Sequence, residues 1–277
     1  MKFLIYGWSG WIGSMLVKLL EKDNETIFLS KVRSYDYMGI MRELDEFNPD
    51  FVLNVCGITG KPTVDYCEDY KQDTFLTNTI GTVNIADACW RKGIHVTYYS
   101  TGCIYTYDYL HPIGTSFLET DEPNFDLSTY SKSKVISEKL LSVYDNILTL
   151  RIRLPISGDM HPKCIISKLS KYSKIIKIPN SFSVLPELLP ISIDMTKKKL
   201  KGIYNFTNPG VCTHDDILTL YKKHVNSDIN WEIISLDQQN SMLKTKRSNC
   251  ELNSSKLEAL YPLTNIKDAI EKILQNN

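Results

Sequence analysis

Short apolar runs alternate with amphipathic stretches along the first 155 residues of the chain. The amphipathic stretches predict a helix ending near Glu21, helices over about 38–47 and 73–92, and one beginning near Thr129. The apolar runs predict buried strands at 2–6, 26–30, 50–57, 95–101 and 146–153. Strands that alternate with helices at this spacing are typical of an α/β fold, in which a doubly wound parallel sheet carries helices on both faces.

The pattern becomes less regular after Pro155. Prolines at 162, 179, 186 and 190 interrupt short segments, 202–210 predicts a strand and a turn, and helices are expected over about 214–224 and 254–274. Ligands of such sheets bind beyond the carboxyl ends of the strands. We therefore expect a sheet domain over 1–155 and a smaller C-terminal lobe over 156–277 that covers this edge, with 192–210 returning to the sheet.

Composition and charge exclude several classes of function. The chain has 277 residues, of which 43% are hydrophobic and 23% charged, as in ordinary globular proteins. Its 32 basic residues balance 32 acidic ones, so neither nucleic acid nor an anionic membrane is an expected partner. No apolar run approaches the roughly 20 residues needed to span a bilayer, and the N-terminus lacks the features of a signal peptide. We expect a cytoplasmic protein.

The seven cysteines are scattered singly, and no two form a C-x-x-C pair. That spacing favours neither a zinc site nor a disulfide framework, so no metal is expected. Most of these cysteines should be small buried apolar residues.

A glycine-rich loop follows the first strand and opens the first helix, which is the context of a dinucleotide site. Gly7 permits the tight turn, Gly10 lets a pyrophosphate approach the backbone, and Gly13 lets the helix pack on the strand. The first 155 residues are therefore predicted to be a Rossmann-type NADP-binding domain, and the lobe a substrate-binding one. The loop residues expected to contact the coenzyme are Gly7, Ser9, Gly10, Trp11, Ile12 and Gly13. Beyond the loop, the expected contacts are Arg33, Cys56, Gly57, Thr59, Asn78, Tyr130, Lys134 and Pro155.

The residues after the second strand indicate the coenzyme type. An NAD enzyme would place a carboxylate there to hold the ribose hydroxyl, whereas this chain offers Lys31 and Arg33, with Asp36 only later. Cationic groups suit the additional 2′-phosphate of NADP(H). We therefore expect NADPH rather than NADH.

Tyr130 and Lys134 lie four positions apart on a predicted helix, so their side chains share one face. A nearby ammonium should lower the pKa of a tyrosine from its usual value of about 10 and make it a usable acid or base. Together with the glycine loop and with Thr101 at the end of a strand, this pair resembles the extended short-chain dehydrogenase/reductase superfamily. The resemblance implies that Thr101 and Tyr130 polarise a substrate carbonyl beside the nicotinamide.

Longer segments narrow the resemblance to one subfamily. The stretches FLIYGWSGWIG, NVCGITGKPTVDYCE, YSTGCIY, TLRIRLPIS, ELLPISI, GIYNFTNPG and KRSNCEL look like UDP-4-keto-6-deoxyglucose 3,5-epimerase/4-reductases, which complete UDP-L-rhamnose synthesis. The match covers nearly the whole chain. Trp8 stands where that subfamily usually has an arginine, which puts one phosphate contact in question.

A thiol beside the catalytic hydroxyl has a chemical explanation in such an enzyme. The protons on C3 and C5 of a 4-keto sugar lie next to the carbonyl, so a group that polarises the ketone also stabilises the enolate. Cys103, two residues beyond Thr101, should reach the same cavity and act as the base when its thiolate is favoured. The resemblance implies that Lys168 is the partner acid, and His161 is the competing candidate because a free histidine has a pKa of about 6.5.

Further substrate contacts are expected from the lobe. Arg247 matches a segment that reaches the nucleotide-sugar, where a guanidinium suits a diphosphate. Asn180 and the 59–65 loop are weaker candidates, and Glu187 is expected mainly to pack.

The hypothesis from sequence is a bifunctional enzyme that epimerises UDP-4-keto-6-deoxyglucose at C3 and C5 and then reduces C4 with NADPH. An upstream 4,6-dehydratase would supply the keto sugar, and family analogy implies a homodimer. One alternative is a reductase of the dTDP-4-dehydrorhamnose type without epimerase activity. Another is a non-catalytic NADP-binding subunit. The choice between UDP and dTDP stays open.

Overall fold

A computed structural model describes residues 1–60 and 63–276. Its strands are β1 (Lys2–Tyr6), β2 (Thr26–Leu29), β3 (Phe51–Asn54), β4 (His95–Thr101), β5 (Ser116–Phe117), β6 (Ile147–Ile152), β7 (Lys174–Ile175), β8 (Gly202–Asn205), β9 (Glu232–Ile233) and β10 (Glu251–Leu252). Six of them form one parallel sheet in the order β2-β1-β3-β4-β6-β8. Two small parallel pairs, β5–β10 and β7–β9, lie outside it.

Helices connect these strands. They are α1 (Trp11–Lys22), α2 (Tyr37–Phe47), α3 (Tyr66–Asp69), α4 (Lys71–Phe75), α5 (Gly81–Arg91), α6 (Thr129–Leu141), α7 (Ile165–Leu169), α8 (Leu185–Lys197), α9 (His214–His224), α10 (Leu236–Met242), α11 (Ser255–Glu258) and α12 (Ile266–Gln275). A π-helical turn, Leu76–Ile80, joins α4 to α5. No helix in the described part of the chain is long and apolar enough to cross a membrane.

Each central strand is buried on both faces, which explains its continuous apolar run. In β1, Phe3 and Ile5 pack into one hydrophobic cluster with α1, α8, α9 and α12. Leu4 and Tyr6 point the other way, into a cluster with α2 and α5. The predicted doubly wound α/β fold is confirmed.

The segment after Pro155 is more regular than its prolines suggested. A helix, α8, runs through Pro190, and Pro186 lies in its first turn, where a missing N–H costs little. The hydroxyls of Ser192 and Thr196 bond those of Tyr99 and Thr97 at 2.7 and 2.6 Å, which fixes α8 on β4.

Glu187 has a connecting role. Its carboxylate accepts hydrogen bonds from Asn208 Nδ2 at 2.8 Å and from the Thr264 backbone N–H at 2.7 Å. Residue 187 therefore ties α8 to the loops before α9 and α12, and it does not line the main cleft.

Candidate active site

A cavity of about 1470 Å³ opens at the carboxyl ends of the parallel strands, between the glycine loop and the C-terminal lobe. It gathers most of the side chains singled out from the sequence. Those that line it are Gly7, Ser9, Gly10, Trp11, Ile12, Gly13, Arg33, Cys56, Gly57, Thr59, Thr101, Cys103, Tyr130, Lys134, Pro155, Lys168 and Arg247. Asn78, Asn180 and His161 lie outside the lining.

Gly7 and Gly13 of the glycine loop lie where no side chain fits. Gly7 has a φ of +83°, and a Cβ added there would lie 2.8 Å from the Cys56 backbone nitrogen. A Cβ on Gly13 would lie 2.7 Å from the Cα of Trp8, so the helix could not pack as closely. Helix α1 begins at Trp11 without a side-chain cap. Its first N–H groups can therefore receive a pyrophosphate.

The end of β2 is basic on its cleft side. Lys31 and Arg33 are exposed and line the cavity. The Glu43 carboxylate is buried and accepts hydrogen bonds from Ser30 Oγ and the Lys31 N–H, each at 2.7 Å. This arrangement suits a 2′-phosphate better than an unmodified ribose. Trp8, in place of the usual arginine, donates its indole N–H to the Ser30 carbonyl at 3.0 Å.

Thr101 and Tyr130 come together at the cavity floor. Ser128 caps the helix that begins at Thr129, so Tyr130 lies in its first turn. The Thr101 side chain lies close enough to the Tyr130 hydroxyl to favour its ionised form, and Thr101 Oγ1 accepts the Cys103 N–H at 3.1 Å. Burial, and then Cys103, raise the pKa of Tyr130, so it is a neutral phenol at physiological pH.

The expectation that Lys134 lowers the pKa of Tyr130 is wrong for this structure. Lys134 is buried, and its ammonium donates instead to the Tyr98 hydroxyl at 2.8 Å. Tyr98, on β4, was not predicted as a site residue, because an aromatic residue in a buried strand usually belongs to the hydrophobic core. Lys134 still faces the cleft beside Gly57, where an added Cβ would lie 3.6 Å from Nζ.

Asn78 supports the cleft from behind and does not line it. Its carboxamide accepts the Ile58 N–H at 2.8 Å and donates to the Ile58 carbonyl at 3.0 Å and to Ser133 Oγ at 3.0 Å. These bonds join the 57–59 loop to α6. The predicted direct coenzyme contact is therefore corrected to a supporting role.

Cys103 has a cationic neighbour that the sequence analysis missed. Arg153 directly follows β6, is 1% exposed, and directs Nη1 to the Cys103 sulfur at 3.6 Å. Asn180 belongs to the same buried group, because its Oδ1 accepts from Arg153 Nη2. Asn180 therefore holds the guanidinium and does not reach the predicted sugar-nucleotide site. The available signal was the R-x-R pattern in an otherwise apolar strand.

Lys168 and His161, the two candidate acids, occupy different places. Lys168, on α7, lines the cavity, and burial together with Lys163 lowers its pKa. The His161 ring instead stacks on Trp11 at a centroid distance of 4.9 Å, and its Nδ1 accepts the Lys163 N–H at 3.1 Å. The geometry favours Lys168.

Arg247 lines the cavity but is already paired. Its two terminal nitrogens hold both carboxylate oxygens of Asp65, at 2.9 and 2.7 Å, and this pairing lowers the pKa of Asp65. Asp65 belongs to the 59–65 loop considered from sequence. Residues 61 and 62 of that loop lie outside the described part of the chain.

Comparison with known proteins agrees with this geometry. The family model for the RmlD substrate binding domain matches residues 1–155. An Arabidopsis thaliana protein named bifunctional dTDP-4-dehydrorhamnose 3,5-epimerase/dTDP-4-dehydrorhamnose reductase is 44% identical over 98% of this chain and 92% of its own length. The chain belongs to the RmlD family.

Within the RmlD family, this chain groups with the epimerase/reductases, as its motifs suggested. It is 44% identical to an Arabidopsis thaliana trifunctional UDP-glucose 4,6-dehydratase/UDP-4-keto-6-deoxy-D-glucose 3,5-epimerase/UDP-4-keto-L-rhamnose-reductase, over 98% of this chain and 41% of that protein. The crystal structure of the L780 UDP-rhamnose synthase from Acanthamoeba polyphaga mimivirus superposes with a TM-score of 0.96 at 38% identity, covering 100% of this chain and 99% of that one.

Proposed function

We propose that this RmlD-family chain converts UDP-4-keto-6-deoxyglucose to UDP-L-rhamnose, first by epimerisation at C3 and C5 and then by NADPH-dependent reduction of the 4-ketone. The observation that carries the proposal is the placement of a thiol, Cys103, beside the Thr101–Tyr130 hydroxyl pair on the wall of one cavity. A plain reductase needs only the hydroxyl pair.

For reduction, this chain's residues polarise the ketone and supply one proton. Thr101 and Tyr130 would donate hydrogen bonds to the C4 oxygen, and the neutral Tyr130 phenol would give its proton to that oxygen as the alcohol forms. The bound coenzyme would supply the hydride, which brings the second hydrogen and the two electrons to C4. Lys134 and the glycine loop hold the coenzyme in this proposal.

For epimerisation, the same hydroxyl pair stabilises the enolate oxygen. The Cys103 thiolate removes the proton from C3 or C5, and an acid must then return a proton from the opposite face of the ring. Lys168 is the proposed acid because burial lowers its pKa, which makes its ammonium a better proton donor than an exposed lysine.

Binding of the nucleotide diphosphate is assigned to the basic side of the lobe, where Lys246 and Arg247 line the cavity. Arg247 would serve this role through its remaining N–H or by exchanging Asp65 for a phosphate oxygen. The proposal extends to a homodimer that acts in the cytoplasm and receives its keto sugar from a 4,6-dehydratase.

The test is product analysis by NMR after incubation with UDP-4-keto-6-deoxyglucose and NADPH in deuterated water. The proposal predicts deuterium at both C3 and C5 and an L-configured product. A product that is reduced at C4 but carries no ring label would leave only the reductase alternative. Tight NADPH binding without turnover of UDP-4-keto-6-deoxyglucose or of its 3,5-epimerised form would favour a non-catalytic subunit.

A further inference from the structure

The guanidinium of Arg153 sits in an environment built from uncharged acceptors. Its Nη1 donates to Ser248 Oγ at 3.0 Å and to the Gly102 carbonyl at 3.3 Å, besides the Cys103 sulfur. Its Nη2 donates to the Ser248 carbonyl at 2.9 Å and to Asn180 Oδ1. Its Nε has no partner among the described residues.

No carboxylate neutralises this cation in the part of the chain that the structure describes, because all five acceptors are neutral groups or the thiol. An arginine stays protonated in proteins, and a buried charge without a counter-charge is strongly unfavourable. A thiolate on Cys103 would supply the missing negative charge at hydrogen-bond distance.

We propose that Arg153 is the positioning residue that holds the Cys103 sulfur as a thiolate at neutral pH. The inference deepens the proposed function, in which Cys103 is the base for epimerisation. In the resting enzyme, the proton leaves sulfur for solvent, and the guanidinium hydrogen bond stabilises the resulting anion.

Other titratable groups face this pair from neighbouring elements. Tyr130 on α6 is a neutral phenol because burial raises its pKa. Lys168 on α7 has a pKa lowered by burial. Burial raises the pKa of Cys250 to about 11 and lowers that of His214 to about 4, so both are uncharged at neutrality. Among the residues that the structure describes, Arg153 is the cation that hydrogen-bonds the sulfur.

Alkylation by iodoacetamide tests the inference without sugar or coenzyme. The thiolate attacks the methylene carbon, a C–S bond forms and iodide leaves, so the rate reports the thiolate fraction. Peptide mass spectrometry would follow Cys103 from pH 5 to 9 in the full chain. Cys56 is the internal reference, because it lines the same cavity but burial raises its pKa to about 11.

Two variants change the charge at this site in different ways. Arg153→Gln removes the cation, and Asn180→Asp leaves the guanidinium in place but pairs it with a carboxylate. Each should slow the alkylation of Cys103 at pH 7 by about tenfold and shift its pH profile upward. Arg153→Lys should restore part of the rate. Cys56 should react slowly in all of them.

Cys103 alkylation at the wild-type rate in folded Asn180→Asp and Arg153→Gln proteins would overturn the inference. If Arg153→Gln does not fold, Asn180→Asp alone decides. Failure of the proposed function looks different, because it would remove deuterium exchange in the wild-type enzyme while leaving the dependence of alkylation on Arg153 unchanged.

Discussion

Arg151 in β6 and Arg153 directly after it have different electrostatic surroundings. Arg151 is 3% exposed and donates from Nε and Nη2 to Glu138 Oε2, at 3.0 and 2.8 Å. Arg153, equally buried, has no carboxylate among its hydrogen-bond partners in the described chain. The two residues are thus separated by one position in sequence but not by burial.

The two arginines therefore have different roles. Arg151 is compensated by Glu138, and it anchors α6 on the sheet. Arg153 lies where β4 and β6 end at the cavity, and its charge remains available to the thiol. Lys134, also buried at this edge, donates to the neutral Tyr98 hydroxyl, and the half-buried Lys168 lines the cavity. Uncompensated charge in a cleft is typical of functional sites.

We expect the greatest loss of stability from breaking the Arg151–Glu138 ion pair. Glu138→Ala leaves Arg151 buried and unpaired and removes the acceptor of the Ser100 hydroxyl, which donates to Glu138 Oε1 at 2.5 Å. The free energy of unfolding, measured with urea, should fall by about 3–5 kcal/mol. The pH profile of Cys103 alkylation in the folded fraction should not move.

An apolar replacement of the whole pair is the control. Arg151→Met combined with Glu138→Leu should recover most of the lost stability, because no unpaired charge remains. A single Glu138→Ala variant within about 0.5 kcal/mol of the wild type, a change typical of surface sites, would show that the pair does not hold the sheet and α6 together.

The second prediction removes the proposed acid at the functional edge. Lys168→Met should reduce deuterium exchange at C3 or C5 by about 100-fold or more, while reduction of a ketone that is already epimerised stays near the wild-type rate. The ammonium form exists below the lowered pKa of Lys168. Exchange by the wild type should therefore decline with rising pH sooner than a free lysine pKa of about 10.4 would predict.

Lys223→Met is the matched control, since Lys223 is an exposed lysine on α9 that does not line the cavity. Its exchange rate should stay near that of the wild type. Equal losses of exchange in both variants would mean that the general charge of the lobe matters, and not an acid at residue 168.

The third prediction concerns a buried histidine at the amino end of β4, far from the cavity. Burial lowers the pKa of His95 to about 4, so the folded state keeps it neutral while the unfolded chain binds a proton below about pH 6.5. Stability should therefore fall as the pH drops from 6.5 toward 4. His95→Gln should lose about 2 kcal/mol less between pH 7 and pH 4.5. Parallel stability curves for the two proteins would contradict this assignment.

Local patterns made much of the site predictable. The glycine loop and the Tyr130–Lys134 pair are each encoded within a few residues, and the strand that ends at Thr101 fixes Cys103 near them. The parallel sheet followed from the period of the apolar runs. The prolines after residue 155 misled because a helix tolerates proline in its first turn.

Contacts between distant segments were not predictable. Arg153 meets Cys103 only because β4 and β6 pair in register, with Thr101 beside Ile152. Arg247 pairs with Asp65, which is 182 positions away in sequence, and Asn180 accepts a hydrogen bond from Arg153. Sequence spacing gives no measure of such pairings, so the protein partners of Asn180 and Arg247 could not be predicted.

The Cys103→Ser variant gives the most direct test, because it should separate the two activities. It should lose solvent deuterium exchange at C3 and C5 of UDP-4-keto-6-deoxyglucose, because an alcohol is a far weaker base than a thiolate. It should still oxidise NADPH with the pre-epimerised ketone, through Thr101 and Tyr130. Exchange at the wild-type rate in Cys103→Ser would contradict the claim that one cavity performs both reactions through this thiol.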